Sequence, residues 1–376
     1  MCRLKTKASI KIAALNINRH GAKNIGDSEN KWPFIKSMML RKKIGILIIG
    51  EAHMDAAKCA EIERVHGSDL KIFFSSLPNK SNAAGVAVVL NRNLTNVMGI
   101  QIHEIVAGHA MSLESNWHNE ERISILAVYA PNKDNATNAA FWNKIEIFYE
   151  EHPRIMKPNI MLGNLNMVEE PLDRLPARRD ASSITEAFDD LKVKLQLVDG
   201  WRNTYPDKLE YTYTQKKTGQ MDRHSRLDRI YMKSTDMENT FDWKIETPGV
   251  KTDHDLVSVN FTCKNAPTIG KGRWMMQPYL MYDKEIKKFL DSEGKHLEKE
   301  LETLENAELR SPDHNPQSIW ARFKADFVKL ARQRAKIVVP KLVKEINELE
   351  ARITLISNDL TLSEDERSIS TSLLKE

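Results

Sequence analysis

The chain has 376 residues, 41% of them hydrophobic, and a net charge of +4 from 56 basic and 52 acidic side chains. That is enough for one large domain or two ordinary ones, and no apolar run approaches the roughly 20 residues a membrane helix needs. No signal-like apolar stretch follows the basic start, and Cys2, Cys59 and Cys263 show neither metal spacing nor a disulfide framework. A reducing setting, nuclear or cytoplasmic, is expected.

Taken in order, Lys11–Asn18 predicts a short strand with Asn16 and Asn18 on one face at its end. Ser28–Lys43 has helical spacing, with Trp32, Ile35, Met39 and Leu40 on one stripe. The apolar run Ile44–Ile49 leads into Gly50-Glu51, and Asp55–His66 predicts a helix capped by Asp55. Phe73-Phe74, Gly85–Leu90, Met111–Leu113 and Ile123–Val128 read as strands, the last ending on Tyr129-Ala130-Pro131-Asn132. Thr137 is expected to cap a helix through Tyr149, with Phe141, Ile145 and Phe148 buried. Asn159–Asn166 is an apolar run that ends in glycine and shows Asn164 and Asn166 in alternation. A buried strand that delivers polar groups at its C-terminal end has this form.

A helix over Thr185–Leu197 follows, then the turn that carries Trp201, a strand over Glu210–Gln215 and another over Leu227–Met232. Thr252-Asp253-His254-Asp255 precedes the alternating run Leu256–Phe261. Strands outnumber helices and are interleaved with them. The expected fold is α/β (α+β), a four-layer αββα sandwich of two packed mixed sheets with flanking helices, plus a C-terminal helical extension.

The texture changes after Lys264. Pro267, Gly270 and Gly272 mark a linker over 264–282, and residues 283–376 read as charged and helical. Helices are expected over Glu285–Leu304, Pro316–Val338 and Leu342–Asn358, and Ser363–Glu376 reads as a polar tail without a final element. Leu301, Leu304, Leu342, Ile346 and Leu349 suggest a loose coiled coil or helical hairpin, open to self-association. Nineteen basic and 19 acidic residues follow Ala266, so the 37 basic and 33 acidic before it hold the whole positive excess. A phosphate-rich partner is compatible with that balance, which does not by itself demand one.

The polar residues at strand ends are Asn16, Asn18, Glu51, Tyr129, Asn132, Asn164, Asn166, Asp228, Asp253 and His254. One strand-end carboxylate suits Mg²⁺, which takes one or two carboxylates and keeps several waters. An acid such as Asp228 beside His254 would fix the imidazole tautomer and raise its pKa toward a phosphate oxygen. Asn side chains and a Tyr hydroxyl would orient that phosphate without repelling it. The chemistry suggested is phosphoryl transfer. Each group has an ordinary alternative: a Glu at a strand end is usually solvated, Asp-His-Asp is usually a turn, and Trp32, Trp201 and Trp243 suit a core.

The series Leu-Asn-Ile-Asn, Ile-Gly-Glu-Ala-His, Val-Tyr-Ala-Pro-Asn, Leu-Gly-Asn-Leu-Asn, Ser-Arg-Leu-Asp-Arg-Ile-Tyr and Thr-Asp-His-Asp, in this order over residues 8–263, resembles the endonuclease/exonuclease/phosphatase superfamily. Within it the chain is most similar to the apurinic-type endonuclease of non-LTR (LINE-like) retrotransposons, a likeness supported by Leu172-Asp173-Arg174 and by Gly270-Lys-Gly-Arg-Trp-Met-Met. The resemblance implies a DNA-nicking hydrolase dependent on Mg²⁺, or Mn²⁺ in its place, followed by a linker that precedes a lost or absent reverse transcriptase. It implies Glu51 as principal metal ligand with Asn16 close by and Asp253 beside the metal. It implies Tyr129 and Asn166 on the scissile phosphate, Asp228 paired with His254, and Asn132 and Trp201 in substrate-binding segments.

One departure is chemical. Where the superfamily's Gly-Asp-x-Asn has an Asp that helps activate water, this chain has Asn164. An amide cannot take a proton, and losing a general base costs about 10²–10⁴-fold. Weak or absent turnover is therefore expected. The rival readings are a DNA-binding or scaffold remnant without catalysis, and a phosphoesterase acting on small or lipid phosphates. Arg41-Lys42-Lys43, Arg178-Arg179 and Lys216-Lys217 are candidates for DNA backbone contacts.

Overall fold

Each apolar run pairs its neighbours through the backbone and buries both faces, which is why these strands read as nearly continuous hydrophobic stretches. The computed structural model describes residues 7–22, 27–78, 80, 83–117, 121–216, 222–268, 274, 276 and 278–375. Cys2, Lys217 and most of Gly270-Lys-Gly-Arg-Trp-Met-Met lie outside them.

The first half contributes β1 (Ile10–Asn16), α1 (Trp32–Lys42), β2 (Ile44–Gly50), α2 (Ala56–His66), β3 (Leu70–Ser75), β4 (Val86–Asn91), β5 (Gln101–Val106), β6 (Ala110–Asn116), β7 (Arg122–Tyr129) and α3 (Asn135–Glu151). Then come β8 (Ile160–Asn164), β9 (Arg174–Leu175), α4 (Ser182–Leu195), β10 (Leu197–Asp199), α5 (Gly200–Thr204), β11 (Tyr213–Gln215), β12 (Arg223–Ser225), β13 (Asp228–Lys233), β14 (Thr240–Glu246) and β15 (Leu256–Phe261). Three helices follow, α6 (Lys284–Thr303), α7 (Pro316–Ser357) and α8 (Glu364–Lys375).

One six-stranded sheet has the order β14-β15-β1-β2-β4-β3 and the other β10-β13-β8-β7-β6-β5, with a small sheet β11-β12-β9 beside them. The parallel pairs β1–β2 and β7–β8 are joined through α1 and α3, as parallel strands require a crossover. Alternate residues of the large sheets meet in one core: Ile12 and Ala14 of β1 and Ile46 and Ile48 of β2 join Ile125 and Ala127 of β7 and Ile160 and Leu162 of β8. The opposite faces bury Ala13 and Leu15 with Trp32, Ile35 and Met39 of α1, and Leu126 and Met161 with Phe141, Trp142 and Phe188 of α3 and α4. This is the αββα sandwich that the interleaved pattern predicts. Each Ile, Leu, Met or Phe among them contributes about 1.5–3 kcal/mol by leaving water.

Some expectations differ from the structure. The α3 cap is Asp134, whose carboxylate accepts from the Thr137 amide and hydroxyl, both at 2.7 Å. The strands β5 and β14 were not among the expected elements; β5 has only half-buried and exposed residues, while β14 alternates apolar and charged residues. The helix α7 runs unbroken through Pro340, and the supposed polar tail is α8. Its acidic first turn, Glu364, Asp365 and Glu366, suits a helix N-terminus.

The chain divides into two compact units, one running up to Gly270 and resuming at Thr354, the other Lys271–Ile353. The end of the helical extension therefore folds with the sheets. Within the second unit Asp283 caps α6 and receives a bidentate pair from Arg334 at 2.9 and 2.8 Å, beside a core of Leu280, Ile286 and Ala331. No helix among the described residues is long and apolar enough to cross a membrane.

Candidate active site

At the C-terminal tips of the parallel strands the chain must leave the sheet. Among the described residues, five non-glycine residues there take positive φ: Asn18 (44°), Arg19 (72°), Glu51 (51°), His53 (47°) and Asn166 (51°). Left-handed backbone costs an L-residue about 1–2 kcal/mol, and such strain concentrates at functional sites.

The first group of polar side chains gathers on Glu51. Asn16 lies opposite Gly50 in the β1–β2 register. The Glu51 Oε1 accepts from the Tyr129 hydroxyl at 2.9 Å and from Asn16 Nδ2 at 3.2 Å. Gly50 leaves room for this, since a Cβ there would stand 3.3 Å from the Tyr129 ring. Asn16 Oδ1 accepts from the Asn18 amide at 2.9 Å, and Asn18 Nδ2 donates to Asp253 Oδ1 at 3.3 Å. The Thr252 hydroxyl donates to the Asn16 carbonyl at 2.8 Å. A carboxylate, carboxamides and a phenol from four chain segments are thereby tied together. Burial, with the Glu51 charge and hydrogen bond added, pushes the Tyr129 phenol far above its ordinary value and keeps it a donor.

The second group lies in one row of the other sheet. Asn164 is in register with Tyr129 on its parallel side and with Asp228 on its antiparallel side. Its Oδ1 accepts from the Asn166 amide at 2.8 Å, and Asn166 Nδ2 donates to the Ala130 carbonyl at 2.6 Å. Gly163 makes the close pairing feasible: with φ at 144°, a Cβ there would fall 1.8 Å from the Val128 carbonyl oxygen.

His254, just before β15 of the first sheet, reaches across to Asp228 of the second, Nδ1 to Oδ2 at 2.6 Å. An ionised carboxylate only accepts, so Nδ1 carries the proton. Burial lowers the imidazole pKa, but the Asp228 charge and hydrogen bond, assisted by Asp253 and Glu51, outweigh it, and the net shift is upward. The Thr212 hydroxyl, which accepts from the Leu227 and Asp228 amides, donates to the same Asp228 oxygen at 2.9 Å. The Tyr213 ring lies 4.7 Å from the His254 ring. Asp228 Oδ1 is buried without a partner, an acceptor left over next to the imidazole.

Beneath this row is a charged cluster that the Leu172-Asp173-Arg174 motif conceals. Asp173, which beside Arg174 could equally have been half of a surface pair, is buried. It accepts from Arg226 at 2.7 and 2.9 Å and from Arg229 at 3.3 Å, with Arg202 alongside. Arg229 also meets Glu169 at 2.9 Å and Arg226 meets Asp199 at 2.8 Å. Burial would raise the Asp173 carboxyl, but the Arg229 and Arg226 charges hold it well below the usual carboxylate range.

The structure brings Asn16, Glu51, Tyr129, Asn164, Asn166, Asp228, Asp253 and His254 to one end of the sandwich. Of the two substrate-binding expectations, only Trp201 meets a contrary placement. Trp201 is in the core, with the Arg202 and Arg226 guanidiniums 5.1 and 5.3 Å from its ring centroid, so it supports the charged cluster. Asn132 is exposed beyond the strand end. Sequence reasoning puts Thr212 and Tyr213 on a strand over Glu210–Gln215 and Thr252 beside Asp253, but it does not reveal that they pack on Asp228, His254 and Asn16. Lys42 pairs with Glu246 at 2.8 Å, which occupies one of the suggested DNA contacts. Cys59 and Cys263 are free and buried, and burial pushes the Cys59 thiol up to about 11.

Among the described residues no group of three His, Cys, Asp or Glu stands together as a ready metal cage. The donors around Glu51 are oxygens and carboxamides, centred on one carboxylate. Such a set suits a hard cation that keeps its waters and does not suit zinc, which takes three or four protein ligands.

No family model matches the chain. A Xenopus laevis protein described as the transposon TX1 uncharacterized 149 kDa protein is 28% identical over 162 residues, 43% of this chain and 12% of that protein. The match thus spans a small part of that relative's length. Among solved structures, the AP endonuclease LMAP from Leishmania major aligns with a TM-score of 0.56 and 14% identity, covering 68% of this chain and 88% of its own. A 3′-5′ exonuclease (NExo) from Neisseria meningitidis aligns with a TM-score of 0.54 and 16% identity over 68% of this chain and 100% of its own. At these identities the likeness is one of fold.

Proposed function

Starting from the fold of the endonuclease/exonuclease/phosphatase proteins, we propose that the chain is a DNA endonuclease of retrotransposon type, slowed by Asn164. The observation that carries this reading is the convergence, from two sheets, of the Glu51–Tyr129–Asn16 group and the Asp228–His254 pair. The curated transposon relative and the nuclease fold support it. Mg²⁺, or Mn²⁺ in its place, would be held by Glu51 with Asn16 and Asp253 alongside, and would neutralise charge on the phosphate.

The residues supply the rest. The Asp228-held imidazolium of His254 donates toward a phosphate oxygen, and the Tyr129 hydroxyl and Asn166 amide orient the phosphate. Water adds to phosphorus and the bond to the 3′ oxygen breaks, leaving a 3′-hydroxyl and a 5′-phosphate, a nick at the element's target site. Asn164 cannot take the water's proton, so turnover is slow. The helical unit would lead toward a reverse-transcriptase module or a second copy; its exposed Leu342, Ile346 and Leu349 support a helical partner.

The test is plasmid nicking with Mg²⁺ by the natural chain and by Asn164→Asp. The reversion is expected to raise the rate by about 10²–10⁴-fold. Fast nicking by the natural chain, with no gain on reversion, would overturn the role given to Asn164. Asn164 also favours a second reading, a protein that grips DNA without cutting it. Metal-independent DNA binding with no nicking by either variant would establish that reading.

A further inference from the structure

The strand β11 holds three parts of the site at once. Its neighbour Thr212 bonds Asp228, Tyr213 packs on His254 and forms a backbone bridge to it, and the Thr214 amide donates to the Asp253 carbonyl at 3.2 Å. Yet β11 has three residues and belongs to a sheet of three very short strands. A sheet of that size is marginal unless another element packs on it.

The packing comes from the end of the chain. Asn358 accepts from the Leu209 amide at 3.0 Å, at the entry to the β11–β12 hairpin. Ser368 of α8 donates to the Asp222 carbonyl at 2.7 Å, and Ser372 donates to the Asp222 carboxylate at 2.8 Å. Because the Ser368 proton goes to a carbonyl, its contact with His224 Nε2 at 3.0 Å must be donated by the imidazole. His224 Nδ1 is then left to accept from the Thr214 hydroxyl at 3.1 Å. A polar chain thus runs Ser368–His224–Thr214 to the backbone of Asp253. His224, Ser368 and Thr371 are buried, which marks a packed interface and not a resting tail. Ser372 also lines the open cleft that contains Tyr213, Asp253 and His254.

We propose that the segment from Thr354 to Lys375 is a positioning element of the site, a prop behind the β11–β12 hairpin that keeps Thr212, Tyr213 and Thr214 on Asp228, His254 and Asp253. The part of the sequence that reads as a formless tail is, on this account, needed for the nuclease fold to act. The catalytic half of the inference rests on the nuclease reading; the structural half does not.

The experiment uses the full chain carrying Ser368→Ala, Ser368→Thr or Asn358→Ala, each in the natural and Asn164→Asp backgrounds. Amide hydrogen exchange of residues 209–216 and 222–225 should speed up at least fivefold in Ser368→Ala and Asn358→Ala, and return in Ser368→Thr, which keeps the hydroxyl. In the Asn164→Asp background kcat for nicking should fall at least fivefold in Ser368→Ala, with KM within twofold, and recover in Ser368→Thr. Unchanged exchange and kcat in a folded Ser368→Ala protein would overturn the prop, whatever the chain does to DNA. Faster exchange in a chain that nicks nothing in either background would keep the prop and remove the nuclease reading instead.

Discussion

Replacing Asp173 by Ala removes the one carboxylate that Arg226 and Arg229 share. Both guanidiniums are about 1% exposed and stay where they are when the acid goes. Breaking a buried pair from one side costs about 3–5 kcal/mol, because the remaining charge is left in low dielectric. Arg229 keeps Glu169 at 2.9 Å and Arg226 keeps Asp199 at 2.8 Å, so the lower end of that range is expected. At about 2–4 °C per kcal/mol for a large domain, Tm of the sheet unit should fall by roughly 6–12 °C. Asp173→Asn, which keeps an acceptor but no charge, should lie between. Calorimetry of the full chain, read on the transition of the sheet unit, measures this. The pH dependence has a definite sign: the Asp173 carboxyl is depressed in the folded state, so its contribution is complete above the ordinary value near 4 and is lost as pH falls through the depressed one. The gap between natural and variant chains should be flat from about pH 5 to 8 and narrow only in strong acid. A loss under about 1 kcal/mol at neutral pH, the worth of a surface pair, would refute the view that the cluster is truly desolvated.

Asp228→Asn should lower the His254 titration midpoint, since burial is then opposed only by the Asp253 and Glu51 charges, and NMR of the ring carbons reads it. In the natural chain the raised midpoint means that the ion pair stabilises the fold fully below about pH 6.5, and that this is lost as pH rises through the folded value. Gly163→Ala should prevent folding of the second sheet, because its Cβ would meet the Val128 carbonyl at 1.8 Å; circular dichroism and solubility report this, and a well-folded variant would show the β7–β8 pairing to be misplaced.

Much of the site was legible because strand ends announce themselves: apolar runs stop at Asn16, Glu51, Tyr129 and Asn164, with Tyr129 in register with Asn164 and Asn16 with Gly50, the residue before Glu51. What was hidden depends on partners distant in sequence. Asp173 looks solvated beside Arg174 until Arg226 and Arg229 fold over it. The strand β14 alternates Phe241, Trp243 and Ile245 with Asp242, Lys244 and Glu246, a strand pattern that the sequence reading passed over; Asp242 sits at φ 55° where the register shifts. The helix α8 escaped notice because the face it buries is made of hydroxyls, Ser368 and Thr371, and not of leucines. For Trp201 the core reading holds and the substrate-binding one does not, because an aromatic in a matching segment says nothing of which way its ring turns.

His254 comes just before β15, a strand of the first sheet, yet its partner belongs to the second. The first sheet lacks β1's outer neighbour until Phe261 has been synthesised. A ribosome that halts earlier releases a chain with an unfinished sheet and an Asp228 that has nothing to hold. On the nuclease reading, a chain cut short before Thr252 has no Asp228–His254 pair and should not nick.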